Sequence, residues 1–162
     1  MLDAGAFYAG TPFLASSQQL YTTSAVLKEV KHIKAQFAAL EALRETGRLI
    51  VQDPDKRQIS RVLDIAQKTG DRPALSEADV SIIALALANG AQLVTDDYSA
   101  ANVASALRIP VKSATAGKAI QEVRKWIFYC SGCSRTFGSD EKECPLCGNK
   151  LKRKYKKYRP VL

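Results

Sequence analysis

The sequence predicts an α/β domain of three layers on a mainly parallel sheet, followed by a small four-cysteine module. Three observations carry this expectation. Over residues 1–112, short apolar runs alternate with longer stretches at helical spacing, the pattern of strands joined through helices. All four cysteines fall between positions 130 and 147. The charge is also skewed: residues 126–162 hold nine Lys/Arg against three Asp/Glu, whereas residues 1–125 hold fifteen against thirteen. A basic excess at one end points to a polyanionic partner.

Met1 to Phe7 reads as a very short strand ending in an aspartate, Asp3. A Ser-, Gly- and Thr-rich loop is expected from Tyr8 to Thr23, long for a compact domain. Ala25 to Leu43 is helix-like, with Val26, Val30, Ile33, Phe37 and Leu40 at helical spacing and Thr22, Thr23 or Ser24 as caps. Leu49-Ile50-Val51 reads as a buried strand, and Asp55 to Lys68 as an amphipathic helix stopped by Gly70. Ser76 to Ala88, rich in Ala, Leu and Ile, is a helix ending at Asn89-Gly90. Gln92 to Thr95 is the next strand, Tyr98 to Leu107 a short helix, and Ile109-Pro110-Val111 a last short strand. The expected divisions are an α/β domain at 1–112, a linker at 113–125, a ribbon at 126–150 and a basic tail at 151–162.

Cysteine usage narrows the class. A disulfide-stapled secreted chain would spread its cysteines through the fold. The first residues lack a basic stretch before an apolar core, and no run reaches the roughly 18 apolar residues of a membrane span. A soluble, cytoplasmic protein is expected.

Cys130-Ser131-Gly132-Cys133 and Cys144-Pro145-Leu146-Cys147 form two C-x2-C pairs separated by ten residues. Each pair sets two sulfurs on one tight turn, and two facing turns make a tetrahedral sulfur site. That chemistry selects Zn2+, or iron less often, and with every position filled by protein it implies a structural role. The stretch Lys150-Leu151-Lys152-Arg153-Lys154-Tyr155-Lys156-Lys157-Tyr158-Arg159 holds seven basic residues and two tyrosines in ten positions. Cations contact phosphates and tyrosines stack on unpaired bases, so these residues are candidate nucleic-acid contacts.

Asp3, Glu29, Asp79, Asp96 and Asp97 are the candidate catalytic acids. In a parallel sheet the C-terminal strand ends line one crevice, which would bring Asp3 and Asp96-Asp97 together with Asp79 close by. Clustered carboxylates repel unless a cation neutralises them, and hard oxygens suit Mg2+ or Mn2+. Each acid also has a plainer reading. Asp79 completes a capping-box pattern with Ser76, Glu29 is a solvated helix charge, and Asp97 caps the next helix.

Met1-Leu2-Asp3-Ala4-Gly5-Ala6-Phe7, Leu27-Lys28-Glu29-Val30, Leu75 to Ala86 and Leu93-Val94-Thr95-Asp96-Asp97-Tyr98 resemble the four acidic motifs of PIN-domain nucleases. With the four-cysteine ribbon, the chain is similar to the archaeal and eukaryotic endoribonucleases that mature the 3′ end of small-subunit rRNA. The resemblance implies a PIN-like fold and a Mg2+- or Mn2+-dependent phosphodiesterase leaving 5′-phosphate and 3′-hydroxyl ends. It implies Asp3 and Asp79 as direct ligands of the catalytic metal, with Glu29 and Asp97 completing the site. Asp96 is secondary, because the Thr-x-Asp pattern of the family falls on Asp97. It further implies precursor small-subunit rRNA and the pre-ribosomal subunit as partners, and no membrane. One feature departs from the pattern: only Met1 and Leu2 precede Asp3, so the first strand has little to anchor it. Two other readings remain, a PIN-type ribonuclease toxin with another RNA target and a non-catalytic RNA-binding assembly factor.

Overall fold

The computed structural model describes residues 1–14, 18–30, 37–115, 123–137 and 142–158; for residue 37 and residues 123–126 and 156–158 it describes the backbone alone. The N-terminal α/β domain is built on short parallel strands. β1 (Leu20–Thr22) pairs with β2 (Leu49–Val51), and β3 (Leu93–Val94) with β4 (Val111–Lys112). Leu2 joins the two pairs. Its amide donates to the Tyr21 carbonyl at 2.9 Å, the Val94 amide donates to the Met1 carbonyl at 2.8 Å, and Leu2 bridges Val94 in parallel. The Thr22 hydroxyl closes the remaining Leu2 carbonyl at 3.0 Å. The weakly anchored first strand is thus held on both sides, and burial of Leu2 to 1% exposure adds the apolar contribution.

The resulting order is β2, β1, Leu2, β3, β4. The chain moves outward from Leu2 first to one side and then to the other. The switch point therefore lies between Leu2 and β3, where sheets of this kind place their ligand crevice.

α6 (Glu77–Asn89) is buried along residues 78 and 80–86, with almost no polar stripe. A helix apolar all round belongs inside the fold, and α6 packs against α3 (Ser24–Val30), α5 (Lys56–Thr69) and α7 (Tyr98–Ala106). Asp55 caps α5 through the Arg57 and Gln58 amides, and Gly70 ends it in the left-handed region at φ 78°. That conformation costs glycine little and a side chain more. α4 (Phe37–Glu45) precedes β2 and packs on it. α3 and α4 fall where one helix was expected at Ala25–Leu43; residues 31–36 lie outside the described ones. Among the described residues no helix is long and apolar enough to cross a membrane.

Three expectations change. The start is not a strand through Phe7, because Asp3 caps α1 (Ala4–Tyr8). The segment from Tyr8 to Thr23 is not all loop: it holds α2 (Thr11–Leu14) and the core strand β1. Three residues are too short to declare a period, and the partner that makes β1 a strand lies in β2, far along the chain. Finally, the basic end is not a tail. Residues 151–158 form β7 (Leu151–Tyr158), paired antiparallel with β5 (Val123–Cys130), and β6 (Thr136–Phe137) lies on the other side of β5. β5 also begins inside the expected linker. Lysines in a row hide a strand because their hydropathy does not alternate.

Candidate active site

Asp3 follows the Leu2 bridge and its carboxylate turns back to cap α1, accepting the Ala6 amide at 2.6 Å. It is 4% exposed. Burial raises its pKa, the charges of Asp79 and Asp96 raise it further, and the Thr95 hydroxyl and Ala6 amide offset part of the shift. A buried carboxylate beside like charges is the arrangement a divalent cation relieves.

Asp79 sits in the first turn of α6. Its Oδ2 accepts the Ser76 amide at 2.9 Å while the Ser76 hydroxyl accepts the Asp79 amide at 3.1 Å, completing the capping box. Capping and ligation are compatible, since this box occupies one carboxylate oxygen. The Thr23 and Ser81 hydroxyls meet at 2.6 Å, and Thr23 also accepts the Val26 amide, tying the start of α3 to α6. α3 carries Glu29, which is exposed and whose backbone carbonyl accepts the Tyr8 hydroxyl at 3.5 Å.

After β3 the two neighbouring acids part. Asp97, exposed, caps α7 through the Ser99 amide at 2.6 Å and the Ala100 amide at 3.3 Å. Asp96 turns toward the chain after β4, accepting the Ser113 hydroxyl and the Ala114 and Thr115 amides. Desolvation works to raise the Asp96 carboxyl, but these bonds outweigh it and hold it below its ordinary value. Asp3, Asp79 and Asp96 therefore share one electrostatic neighbourhood at the switch point. Among the described residues the acids are not drawn onto one point: the one group of three or more side chains placed to hold a metal ion is the cysteine cluster.

Sequence reasoning missed two residues here. Thr95, fully buried, donates to Asp3 and accepts the Asp97 amide at 3.0 Å. Its place beside two aspartates was the available signal. Ser113 had none, because its role depends on β4 lying next to β3.

The ribbon builds the second centre. Cys130 Sγ lies 3.3 Å from Cys147 Sγ, and Cys133 Sγ 3.6 Å from Cys144 Sγ, with all four sulfurs within 4.8 Å of one another. These separations far exceed a disulfide of about 2.05 Å. They approach the roughly 3.8 Å edge of a tetrahedron with metal–sulfur bonds near 2.3 Å. The Gly132 amide donates to Cys130 Sγ at 3.3 Å. The Cys133 amide is the largest influence drawing the Cys130 thiol down to about 6, with the Cys147 thiol and Gly132 amide adding to it against desolvation. Gly132 has a steric reason as well: a Cβ there would run into Asn149 Nδ2. The cluster could hold a zinc ion.

Among the basic residues, Lys150, Lys152, Arg153, Lys154 and Tyr155 are exposed, and the Lys154 ammonium lies 4.6 Å from the Tyr129 ring centroid. Arg153 instead reaches back to the nuclease domain, donating to the Gly70 carbonyl at 2.7 Å. The side chains of Lys156, Lys157 and Tyr158, and all of Arg159, lie outside the described residues.

Comparison with known proteins agrees with this geometry. A family model described as the PIN domain of ribonuclease matches residues 1–88. The chain is 36% identical to Endoribonuclease Nob1 of Methanocaldococcus jannaschii, over 98% of its own length and 79% of the relative's. It is 36% identical to Endoribonuclease Nob1 of Pyrococcus abyssi, over 94% and 91% of the two chains. It is also 37% identical to Ribonuclease VapC1 of Thermoplasma acidophilum, over 86% and 70%. PIN nucleases depend on divalent metal ions, and RNA is the substrate that these names imply. The family match over residues 1–88 and the similarities that span most of the chain, with the neighbouring aspartates and the cysteine cluster, place the chain in the PIN-domain endoribonucleases, with the Nob1 proteins as its relatives.

Proposed function

We propose that this endoribonuclease acts in the cytoplasm on precursor small-subunit rRNA, cutting at its 3′ end within the pre-ribosomal subunit. The carrying observation is the union in one chain of neighbouring aspartates at the switch point and a ribbon with a four-cysteine cluster whose long strand is basic. The similarity to Endoribonuclease Nob1 extends over both. The likeness to Ribonuclease VapC1 covers more of the chain than a bare nuclease domain of 112 residues, so it does not favour a toxin.

Asp3 and Asp79 are the ligands of Mg2+ or Mn2+, with Glu29 and Asp97 completing the site directly or through water. The donor set fits: hard oxygens, one deeply buried, with mutual repulsion that a cation would offset. Such an ion supplies charge against the negative charge that builds on the phosphate and favours ionised water. The chain's own contribution is placement. Thr95 orients Asp3 and the Asp97 amide, the capping box fixes Asp79, and Asp96 holds the chain after β4 beside the crevice. Cys130, Cys133, Cys144 and Cys147 hold structural Zn2+. Lys150, Lys152, Lys154 and Tyr155, with Lys156, Lys157, Tyr158 and Arg159 beyond them, supply the RNA contacts. Lys152 and Lys154 are on the pleat face of Tyr129, which offers a stacking surface among cations.

The test is cleavage of an RNA spanning the mature 3′ end and its precursor extension, with Mn2+, with chelator, and with Asp79→Asn. A single cut at the mature end, lost in both controls, is the expected result. Tight binding with no metal-dependent cut would instead support an assembly factor.

A further inference from the structure

Asp71 is the most deeply buried carboxylate among the described residues, its side chain 0% exposed. It lies between Gly70, which ends α5, and the turn Arg72–Ala74 that leads into α6. One oxygen accepts Asn102 Nδ2 from α7. The other, Oδ1, has no hydrogen-bond partner. A buried carboxylate left half-satisfied is unfavourable unless a positive charge faces it. The charge that faces it comes from the ribbon: Arg153 Nη2 stands 3.6 Å from Asp71 Oδ1 while donating to the Gly70 carbonyl. The contact spans 83 residues of sequence and joins β7 to the nuclease domain. Nearby, β5 packs on α7 and α5.

We propose that Arg153 and Asp71 form a latch that fixes the ribbon's orientation relative to the acidic crevice. Arg153 is then a positioning residue, distinct from the lysines that flank it on β7. The linkage reaches the site by two short routes. Asp71 immediately precedes the turn before Ser76 and Asp79, and Asn102 belongs to the helix that Asp97 caps. Arginine suits the task because its charge persists at any working pH while Nη2 faces a carbonyl and a carboxylate together. Orientation by the latch does not depend on which RNA is cut. Its effect on where the cut falls rests on the rRNA reading above.

The test is 15N relaxation on the zinc-loaded full chain as wild type, Arg153→Ala and Asp71→Asn. In the wild type the amides of both modules should share one rotational correlation time. In each variant the ribbon should acquire a shorter one, with chemical shifts away from the contact unchanged. Arg153→Lys should restore common tumbling in part. If Asp71→Asn does not fold, Arg153→Ala, on the surface strand, decides alone. Separate tumbling in the wild type, or common tumbling in Arg153→Ala, would overturn the latch. Cleavage is read in parallel: the latch predicts that Arg153→Ala spreads the cut over neighbouring nucleotides. A wild type that tumbles as one body yet leaves the precursor uncut would sink the rRNA reading and spare the latch.

Discussion

Thr95 has no charge, yet its hydroxyl touches two parts of the acidic site: it donates to Asp3 and accepts the amide of Asp97. Thr95→Val keeps the shape and removes both bonds. Because the Thr95 bond lowers the Asp3 pKa, its loss should move the acidic limb of the cleavage pH profile to higher pH. It should also cost about 1–3 kcal/mol through the unsatisfied partners. An unmoved profile would show that Asp3 ionisation does not limit activity. Asp3→Asn separates stability from function in another way. The folded-state pKa of Asp3 is raised, so the ionised form destabilises the fold. That destabilisation is relieved as pH falls through the raised value toward the unfolded value of 3.8. Asparagine can still cap α1. The variant should therefore lose cleavage by at least about 100-fold, as removal of a transition-state interaction does, while melting higher than metal-free wild type at neutral pH. That advantage should shrink on acidification. Melting curves with and without Mn2+ check both points, since only the wild type should gain strongly from the ion. At this scale the sequence exposed the acids, because charge in an apolar motif is visible. It concealed Thr95 and Ser113, whose partners are set by the adjacency of β3 with Leu2 and β4.

Among the elements, α6 was the most legible. Its cap, its apolar composition and its Gly90 stop are all local, and the structure keeps each one. Ser76→Ala removes one half of the capping box and should cost about 1 kcal/mol, measurable as a fall of about 2–4 °C in melting temperature. A larger loss in cleavage than in stability would indicate that the cap also holds Asp79 in place. The ribbon rests on a different source of stability. Among the described side chains of β5, β6 and β7 only that of Cys130 is buried, and a metal held by four thiolates would contribute on the order of 10–16 kcal/mol of apparent folding free energy in such a module. Stripping the metal, or Cys144→Ser, should abolish hydrogen-exchange protection along β5 and β7 and leave α6 protected. Retained protection in the ribbon would mean that its strands fold without metal. β1 and α1 were illegible for a shared reason. Each is short, and each exists because distant residues complete it: β2 for β1, and the sheet that presents Asp3 for α1.

For the molecule as a whole, charge is divided by strand face. Arg153 turns to the nuclease domain, whereas Lys152 and Lys154 stay exposed beside Tyr129. If the latter face holds RNA, replacing both lysines by alanine should reduce the salt dependence of binding, lowering the slope of log affinity against log salt by about 1 for each lysine. Titrations from low to moderate ionic strength would read this directly, and an unchanged slope would place the phosphate contacts elsewhere on the chain.

By itself the sequence determined the nuclease core's main helices, the acids and the paired cysteines. Those features depend on spacing within a few residues: an apolar helix with its caps, an acid in a short motif, two paired thiols. The tertiary structure decided the remainder. It made Leu2 a strand by bonding it on both sides, and it turned a run of lysines into β7 by pairing that run with β5. It also sent Asp96 and Asp97 in different directions and set Arg153 against Asp71. Each of these outcomes joins residues far apart in the chain, and no local pattern can encode a partner that only folding brings near.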